Sequence, residues 1–424
     1  MATLLQRLNI SAGDNTKWTF SAWVKKAINT SGSLHMFSSN AERTGTSQYS
    51  SFYFGDDQLR YYDYWSSAVQ HSLITNAKYR DNNAFYHLVL AYDTPQATAS
   101  DRIKMYVNGE QVTSFATAIY PPLNDGSYMN RSGYDNFLGD QDDNQNDPFS
   151  GVMSHVHFTD GTAYDATAFG EYDANGVWKI KTSPSVTYGT NGFFILKDGN
   201  SVTDQSGNSN NFTVAGGTLT NTEDNPSNVF CTMNPLDNQI ASSTFSNGNN
   251  TIVTSNSNYT WNTGTLGASS GKYYWEIKYS ATSGTNYNLI GIADRPTTSS
   301  SAYLGSVTNT SNYGYYSDGG NVYAKNGTST AFGDSYSAGD IIGVSLDLDN
   351  NKLYFSKNGT WQNSGVPTSG ATGTGAVSID AISSTTTGVY FPASGDYGST
   401  QYVTNQHNFG NGYFGTTAVA SAGT

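Results

Sequence analysis

This sequence has few of the residues that disulfides, helices and nucleic-acid contacts require. Its 424 residues include one cysteine, Cys231, so no intrachain disulfide forms and burial of apolar surface must stabilise the fold. Only five residues are glutamate, and we find no amphipathic helical pattern longer than about two turns. Lys and Arg number 20 against 33 acidic residues, and the net charge of −13 argues against nucleic acid as a partner.

Targeting and membrane-spanning patterns are also missing. The first residues, MATLLQRLNI, lack a basic region followed by an apolar run, so we predict no signal peptide. No stretch approaches the length of a transmembrane helix, and the acidic balance disfavours anionic membrane surfaces. We therefore expect assembly in a reducing cytoplasm and no membrane insertion.

The abundant residues predict a β protein. The chain contains 44 Gly and 31 Tyr, and tyrosine favours strands. Apolar and polar residues alternate with period two in TFSAWVKK at 19–26 and in GKYYWEIKY at 271–279. Turns rich in Asn, Asp and Gly separate such segments. The sequence therefore predicts an all-β fold with two antiparallel β-sandwich domains of the jelly-roll type in tandem.

Two hairpins of similar sequence lie far apart in the chain. RIKMYVNGEQV covers residues 102–112, NKLYFSKNGTW covers residues 351–361, and each runs a strand into Asn-Gly. Asn-Gly accepts the positive φ angles of a type I′ turn. Because no other segment is shared, we interpret the hairpins as one solution used by two different sandwich domains, rather than as an internal repeat.

Segments of the chain, taken in sequence order, resemble two domain families. The first part resembles the laminin G-like, or concanavalin A-like, jelly roll over roughly residues 1–200, through WTFSAWVKK (18–26), FYHLVLAYDT (85–94), RIKMYVNGEQV and SGVMSHVHFTDG (150–161). The second part resembles a SPRY domain over residues 239–414, through GKYYWEIKY, YGYYSDGG (313–320), residues 338–361, VYFPAS (389–394) and NFGNGYF (408–414). We predict that residues 201–238 form an extended strap packed on the first domain, and that residues 415–424 form a flexible tail.

The combination is similar to structural proteins of marine tailed bacteriophages with this layout. The matching segments are FGEYDANGVW (169–178), YGTNGFFILKD (188–198) and DQSGNSNNFT (204–213). The resemblance implies a non-catalytic protein on the virion surface, as a fibre, spike or head-decoration component that adheres to a host glycan. Its implied partners are other virion proteins and that glycan. Fibre proteins are usually homotrimers, although this chain has no coiled-coil heptads.

Two other functions stay open, a purely structural capsid or tail cement protein and a polysaccharide depolymerase. Retaining glycosidases need paired carboxylates, and Glu171-Tyr172-Asp173 comes closest to that pattern but lacks a second glutamate. The Gly-x-Ser-x-Gly sequence at 267–271 precedes a strand instead of following one, so we interpret it as a loop. We predict no catalytic residue.

A glycan site needs aromatic rings for the apolar faces of sugars, and polar groups for their hydroxyls. Both residue types occur in LRYYDYW (59–65), in SYMNRSGYDNF (127–137) and in the 304–323 loop, which with the 363–376 loop corresponds to the partner-binding loops of SPRY domains. The predicted ligand-binding residues are Tyr61, Tyr64, Trp65, Tyr128, Asn130, Tyr134, Tyr315, Tyr316 and Asp318. For each tyrosine the alternative is a strand residue that covers the core.

Two segments carry potential metal ligands. GDQDDNQNDP at 139–148 offers clustered oxygens, and laminin G-like domains often bind calcium on rim loops. The predicted calcium ligands are Asp140, Asp142, Asp143 and Asp147, with a solvated acidic loop as the alternative. His155 and His157 lie two apart on one strand, but no third ligand is near in sequence, so we interpret them as part of a polar sheet face. We expect no required cofactor.

Overall fold

A computed structural model of the chain describes residues 3–8, 11–40, 47–142, 144, 146–197, 201–238, 242–299, 301–308, 310–398 and 400–419. These residues form two compact units, residues 1–221 with 225–229 and residues 222–224 with 230–424. Every strand pair within a sheet is antiparallel, and the helices in the described ranges are single 3-10 turns. The predicted all-β fold with two antiparallel sandwiches in tandem is confirmed.

The first unit is built from two sheets and a small hairpin. Its strands are β1 (Leu4–Leu8), β2 (Lys17–Lys26), β3 (Ser33–Asn40), β4 (Tyr49–Gly55), β5 (Gln58–Trp65), β6 (Ala68–Lys78), β7 (Tyr86–Asp93), β8 (Ile103–Val107), β9 (Glu110–Gln111), β10 (Phe115–Ile119), β11 (Asp135–Leu138), β12 (Gly151–Asp160), β13 (Gly170–Tyr172), β14 (Trp178–Ile180), β15 (Phe193–Ile195) and β16 (Thr213–Gly216). Its 3-10 turns are Ala99–Asp101 and Ala166–Ala168.

The core of the first unit lies between an eight-stranded and a six-stranded sheet. The eight-stranded sheet has the order β10-β6-β5-β4-β3-β11-β1-β16, and the six-stranded sheet has the order β15-β12-β2-β7-β8-β9. Alternate residues of β2 reach the core, where Phe20 stacks on Phe37 of the other sheet with 4.7 Å between ring centroids. Trp18 stacks on Tyr92 at 5.0 Å and is fully buried. Aromatic rings from both sheets therefore fill this core.

The opposite face of the six-stranded sheet is covered by the segment that contains β13 and β14. Phe169 and Ala166 from this segment pack on Val89. The indole Nε1 of Trp178 donates a hydrogen bond to Nδ1 of His87 at 3.0 Å. The outer surface of β2 and β7 is consequently interior, which explains why both faces of β7 are largely apolar in sequence.

The predicted strap at 201–238 does not act as one element. Its first part belongs to the first unit, because β16 pairs with β1 and Phe212 enters the core. Asp204 fixes the preceding loop, since its carboxylate accepts backbone N–H groups from Phe194, Ser206 and Asn210 at 2.8–2.9 Å. Residues 230–238 belong to the second unit. The strap is therefore divided between the two units.

The second unit is also built from two sheets. Its strands are β17 (Thr244–Ser246), β18 (Thr251–Val253), β19 (Trp261–Thr263), β20 (Lys272–Thr282), β21 (Asn288–Ala293), β22 (Asn312–Tyr316), β23 (Asn321–Ala324), β24 (Thr328–Ala331), β25 (Ile341–Asp347), β26 (Lys352–Lys357), β27 (Thr360–Trp361), β28 (Val377–Ser378), β29 (Phe391–Asp396), β30 (Val403–Asn408), β31 (Tyr413–Phe414) and β32 (Thr417–Ala418). Its 3-10 turns are Gln362–Ser364, Gly370–Thr372 and Ile382–Ser384.

One sheet of the second unit has the order β17-β18-β30-β20-β25-β26-β27, with β28 paired to β26, and the other has the order β19-β29-β21-β22-β23-β24. Their facing residues form the core, in which Tyr315 stacks on Phe355 at 5.1 Å. The predicted tail begins with a further hairpin, because β32 pairs with β31, and residues 420–424 lie outside the described ranges. None of the helices in the described part of the chain has the length and apolar character that a membrane span requires.

Candidate functional site

Tyrosines from β4 and β5 share one face of the eight-stranded sheet in the first unit. Alternation sends Phe52 and Tyr61 into the core, and it sends their neighbours to the opposite face. We call that face, formed by Tyr49, Tyr53, Arg60, Tyr62 and Tyr64, the tyrosine face. Tyr62, Tyr64 and Arg60 are half-buried, whereas Tyr49 and Tyr53 are buried.

Contacts among the rings hold the tyrosine face in one arrangement. The hydroxyls of Tyr49 and Tyr62 are hydrogen-bonded at 2.9 Å. Tyr64 stacks on Tyr49 with centroids 5.2 Å apart, and Tyr53 meets Tyr62 edge-on at 5.2 Å. Burial, together with the neighbouring phenols, raises the pKa of Tyr62. The hydroxyl of Tyr62 is therefore protonated at neutral pH, and it can both donate and accept hydrogen bonds.

His35 of β3 lies beside Tyr53, its cross-strand neighbour, on the same side of the sheet. Its ring stacks on Tyr53 at 4.6 Å and its Nδ1 is hydrogen-bonded to Oγ of Ser51 at 2.6 Å. Burial lowers the pKa of His35 to about 3, so the imidazole is neutral at physiological pH. His35 thus extends this face as a neutral polar group.

The predicted calcium loop lies beside the same face. Asp140 is 1% exposed, its Oδ1 accepts the N–H of Gln141 at 2.6 Å, and its Oδ2 has no hydrogen-bond partner in the described structure. Burial, with the charges of Asp142 and Asp147, raises the pKa of Asp140 to about 6. The backbone N–H of His35 donates to the carbonyl of Asp147 at 3.2 Å, which joins this loop to β3.

The described part of this loop does not by itself complete a metal site. Asp142 caps the following turn, because its Oδ1 accepts the N–H of Asn144 at 2.8 Å. Asp143, the remaining predicted ligand, lies outside the described residues. Within the described ranges no group of three or more His, Cys, Asp or Glu side chains has the geometry to hold a metal ion.

Burial corrects two of the predicted ligand contacts in the first unit. Tyr61 is in the core beside Trp18, and its hydroxyl donates to Asp63 at 2.8 Å. Asn130 is fully buried, where its Nδ2 donates to Asp160 and its Oδ1 accepts from Asn191 at 2.9 Å. Both side chains make buried contacts that stabilise the fold. Tyr62, which the prediction omitted, is the half-buried neighbour that lies on the opposite face of the strand.

Three other predicted residues form a separate aromatic group at one end of β5. Trp65 is half-buried and meets Tyr128 edge-on at 5.6 Å. Tyr128 itself is buried, with Arg131 over its ring at 4.4 Å and Tyr134 at 5.4 Å. Half-buried Tyr134 donates its hydroxyl hydrogen to Gln48 at 3.2 Å. Only Trp65 and Tyr134 offer surface there, so the prediction for Tyr128 is corrected by its burial.

The second unit carries a larger set of clustered tyrosines on the face of its β21–β22 sheet opposite to the core. We call this set the tyrosine cluster; its members are Tyr259, Tyr287, Tyr303, Tyr316, Tyr323 and Tyr397. Tyr316 is its buried centre, with Tyr397 at 5.0 Å and Tyr323 at 5.5 Å. Tyr303 lies 4.3 Å from Tyr397. The outer five rings are half-buried and form a continuous aromatic surface.

The structure separates the three predicted residues of this region. Tyr316 is the buried centre of the tyrosine cluster, so its burial corrects its prediction as a ligand contact. Asp318 is exposed near it and, after the larger effect of burial, helps raise the pKa of Tyr316. Tyr315 points the other way into the core, which corrects its prediction as a ligand contact. The predicted partner loop at 363–376 packs over Tyr354, whose hydroxyl is 3.3 Å from Oγ of Ser369.

Serine–histidine pairs occur in both units, but they are interior. Ser21 Oγ lies 2.9 Å from Nε2 of His87, and Ser394 Oγ lies 2.9 Å from Nε2 of His407. Burial lowers the pKa to about 3 for His87 and to about 4 for His407. All four side chains are buried, so a substrate has no access to either pair. Their hydrogen bonds satisfy polar groups inside the fold.

The side chains of the other segments considered for catalysis or metal binding also make structural contacts. Glu171 lies on the exposed β13–β14 hairpin, 3.9 Å from Lys181, and Asp173 accepts N–H groups of its own turn. His155 is hydrogen-bonded to Ser154, and the ring of His157 stacks on Phe194 at 4.0 Å. The interpretation of the two histidines as part of the sheet face agrees with these contacts, although that face is covered.

These features define a tandem β-sandwich protein with clustered tyrosines on each domain. The concanavalin A-like lectin/glucanases superfamily (Laminin_G_3) matches residues 6–166, and the SPRY domain matches residues 272–383. A concanavalin A-like domain is thus followed by a SPRY domain. Both are binding-type domains, which is consistent with a protein that is not an enzyme.

Individual proteins resemble parts of the chain. Ran-binding protein 9 of Danio rerio is 29% identical over 92 residues, or 22% of this chain and 15% of that protein. Ran-binding protein 9 of Homo sapiens is 29% identical over 92 residues, or 12% of that protein, so the chain spans a small part of these relatives. The SPRY domain of human HERC1 is 17% identical with a TM-score of 0.33, covering 41% of this chain and 96% of that one. The heptameric SAP-like pentraxin of Limulus polyphemus is 14% identical with a TM-score of 0.28, covering 38% and 71%.

Proposed function

We propose that the protein is a non-catalytic adhesion protein that binds a surface glycan through the tyrosine face of its first unit. The observation that carries the proposal is the set of ordered tyrosines on β4 and β5, next to Arg60 and the Asp140 loop. Half-buried Tyr62 and Tyr64 offer rings to the apolar faces of sugars. Their hydroxyls and the guanidinium of Arg60 offer hydrogen bonds to sugar hydroxyls.

The biological setting we propose is the surface of a tailed-bacteriophage virion. The resemblance of residues 169–178, 188–198 and 204–213 to virion proteins supports this setting. Its partners would be other virion proteins and a glycan of the host cell, and the chain would assemble in the host cytoplasm, as a trimer if it forms part of a fibre. No nucleic-acid contact is proposed, since the net charge is −13.

We further propose that calcium strengthens glycan binding without being required for folding. Asp140 supports this, because it is a buried carboxylate with one oxygen that lacks a partner. A cation held there by Asp140 with Asp142 or Asp147 would offset their mutual repulsion, which contributes to the raised pKa of Asp140. The same cation would lie near Gln141, which borders Tyr49.

The test is a glycan-array screen of the full-length chain, in calcium and in EDTA. We expect Tyr62→Ala and Tyr64→Ala each to reduce binding at least tenfold, and EDTA to reduce it less. The matched control is Tyr273→Ala, an exposed tyrosine on the second unit. Binding that is equal in Tyr62→Ala, Tyr64→Ala and Tyr273→Ala would contradict the proposal, and glycan cleavage during the screen would favour a depolymerase.

A second candidate function, a structural decoration or cement protein, is favoured by the tyrosine cluster of the second unit. Five half-buried rings around Tyr316 form a broad surface of the kind that protein interfaces use. Cryo-electron microscopy of virions with and without Tyr303→Ser and Tyr397→Ser would test this function. We expect the double variant to be lost from the virion if this surface attaches it, and to be retained if the cluster is free.

A further inference from the structure

An open depression of about 520 Å³ lies on the second unit, outside both tyrosine surfaces. It forms where β24 ends and where β27 continues into the 3-10 turn Gln362–Ser364. Its apolar walls are the rings of Phe332 and Trp361, and its polar groups come from Asp334, Thr360 and Asn363. The depression therefore combines flat aromatic surface with neutral and acidic oxygen groups.

A buried glutamine fixes the base of this depression. Gln362 is 6% exposed, and its Oε1 accepts the N–H of Asp334 at 2.8 Å. Its Nε2 donates to the carbonyl of Thr360 at 2.9 Å, which ties the base to β27. Because one side chain joins the two walls, the walls have a fixed separation before any ligand arrives, which lowers the entropy cost of binding.

The ligand-facing groups are positioned by other contacts. The indole of half-buried Trp361 meets the ring of Tyr274 edge-on at 6.2 Å. Asn363 donates its Nδ2 to the carbonyl of Gly375 at 3.3 Å, which leaves its amide oxygen as an acceptor. Asp334 is exposed, and the described residues give its carboxylate no hydrogen bond or ion pair. A ligand with hydroxyl donors would satisfy both oxygen groups.

We propose that this depression is a second carbohydrate site, which takes one or two pyranose rings. The indole of Trp361 would pack on the C–H face of a sugar, and Asp334 and Asn363 would accept from its hydroxyls. An anionic ligand is disfavoured, because the lining contains Asp334 and neither lysine nor arginine. With the tyrosine face, this site would make the chain bivalent for glycans, and bivalence raises avidity without new contacts at either site.

The test is saturation-transfer NMR on the full-length chain with glucose, galactose, mannose, N-acetylglucosamine, maltose and cellobiose at high millimolar concentration. We expect at least one of these sugars to give a signal that falls at least fivefold in Trp361→Ala and in Asp334→Asn. Trp361→Phe should recover part of the signal, because it restores a flat ring. Tyr273→Ala, an exposed aromatic outside the depression, is the matched control, and thermal melts check that every variant is folded.

The outcomes separate this inference from the proposed function. A signal that is lost in Trp361→Ala but kept in Tyr62→Ala supports the second site, whether or not the tyrosine face binds a glycan. A signal that depends on Tyr62 and not on Trp361 overturns the second site and leaves the proposed function intact. Absence of any signal that depends on Trp361, with the whole sugar panel, also overturns it.

Discussion

The Asn-Gly hairpins of the two units, β8–β9 and β26–β27, have the same turn and the same anchor. The φ angles are 50° and 89° at Asn108 and Gly109, and 49° and 81° at Asn358 and Gly359. In the first unit Asn108 donates its N–H to the carbonyl of His87 and accepts the N–H of His87 on its Oδ1, both at 2.8 Å. In the second unit Asn358 makes the same pair of bonds with Ile341, also at 2.8 Å.

The hairpins differ in what lies next to the turn. A Cβ atom at Gly109 would lie 2.5 Å from the ring of Trp178, whereas a Cβ atom at Gly359 would meet nothing within 4 Å. The first turn is covered by the β13–β14 segment, and the second is open. Local sequence therefore decides the turn, because Asn-Gly satisfies its own backbone geometry. What packs against the turn depends on residues distant in sequence, and it differs between the two units.

The largest expected effects test whether the two units unfold independently of each other. Trp18→Ala in the first core and Phe355→Ala in the second should each destabilise their own unit by about 3–5 kcal/mol, because each leaves a cavity among buried rings. Differential scanning calorimetry should then show two transitions, of which each variant lowers one. If both transitions fall together in either variant, the units unfold as one cooperative body and the comparison fails.

The next effect is a pH dependence that distinguishes the second unit. Burial raises the pKa of Asp396 from 3.8 to about 8, so the folded unit retains a proton that the unfolded chain loses. Its contribution to stability is complete below pH 4 and is lost progressively as the pH rises to 8. In the first unit the pKa of Asp140 rises only to about 6, which confines its effect to a narrower range of pH.

The variant that isolates this effect is Asp396→Asn. The amide can still accept the N–H of Thr260, which the carboxylate accepts at 3.1 Å, but it has no proton to lose. Relative to wild type, the variant should gain stability between pH 4 and pH 8, in the transition of the second unit alone. Calorimetry across that range measures the difference. A difference that does not change with pH would mean that Asp396 is ionised throughout.

The sequence allowed the strands to be predicted, but not which face of a strand stays exposed. In LRYYDYW both faces carry tyrosine, so alternation divides Tyr61 from Tyr62 without saying which one is buried. The same ambiguity led to the prediction of Tyr315 as a ligand contact beside Tyr316, although Tyr315 is in the core. A shift of one residue exchanges the two faces, and only the packing of the other sheet decides between them.

The sequence contains even weaker signals for the tyrosine cluster and for the burial of Asn130. Tyr316 contacts Tyr397, which in turn contacts Tyr259, and these three tyrosines come from segments far apart in the chain. The burial of Asn130 depends on Asp160 and Asn191, which no local pattern connects to it. Contacts of this range follow from topology, so a single sequence carried no sign of them.

The smallest expected effect bears directly on the two hairpins. Gly359→Ala should cost about 1–2 kcal/mol, because alanine is strained at a φ of 81° while the space around it is open. Gly109→Ala should cost about 1–3 kcal/mol more, since the new methyl group also displaces Trp178 and disturbs its hydrogen bond to His87. Urea unfolding of the two variants, with each unit followed through its own transition, gives both values.

A double-mutant cycle separates the two causes of the larger penalty. In a Trp178→Ala background the ring that Gly109→Ala would strike is gone, so the cost of Gly109→Ala should fall to that of Gly359→Ala. Such a fall would mean that the turns are equivalent and that only the cover distinguishes them. If the penalty stays unchanged without the indole, the first turn is strained by something within the hairpin, and the equivalence that the Asn108 and Asn358 anchors suggest does not hold.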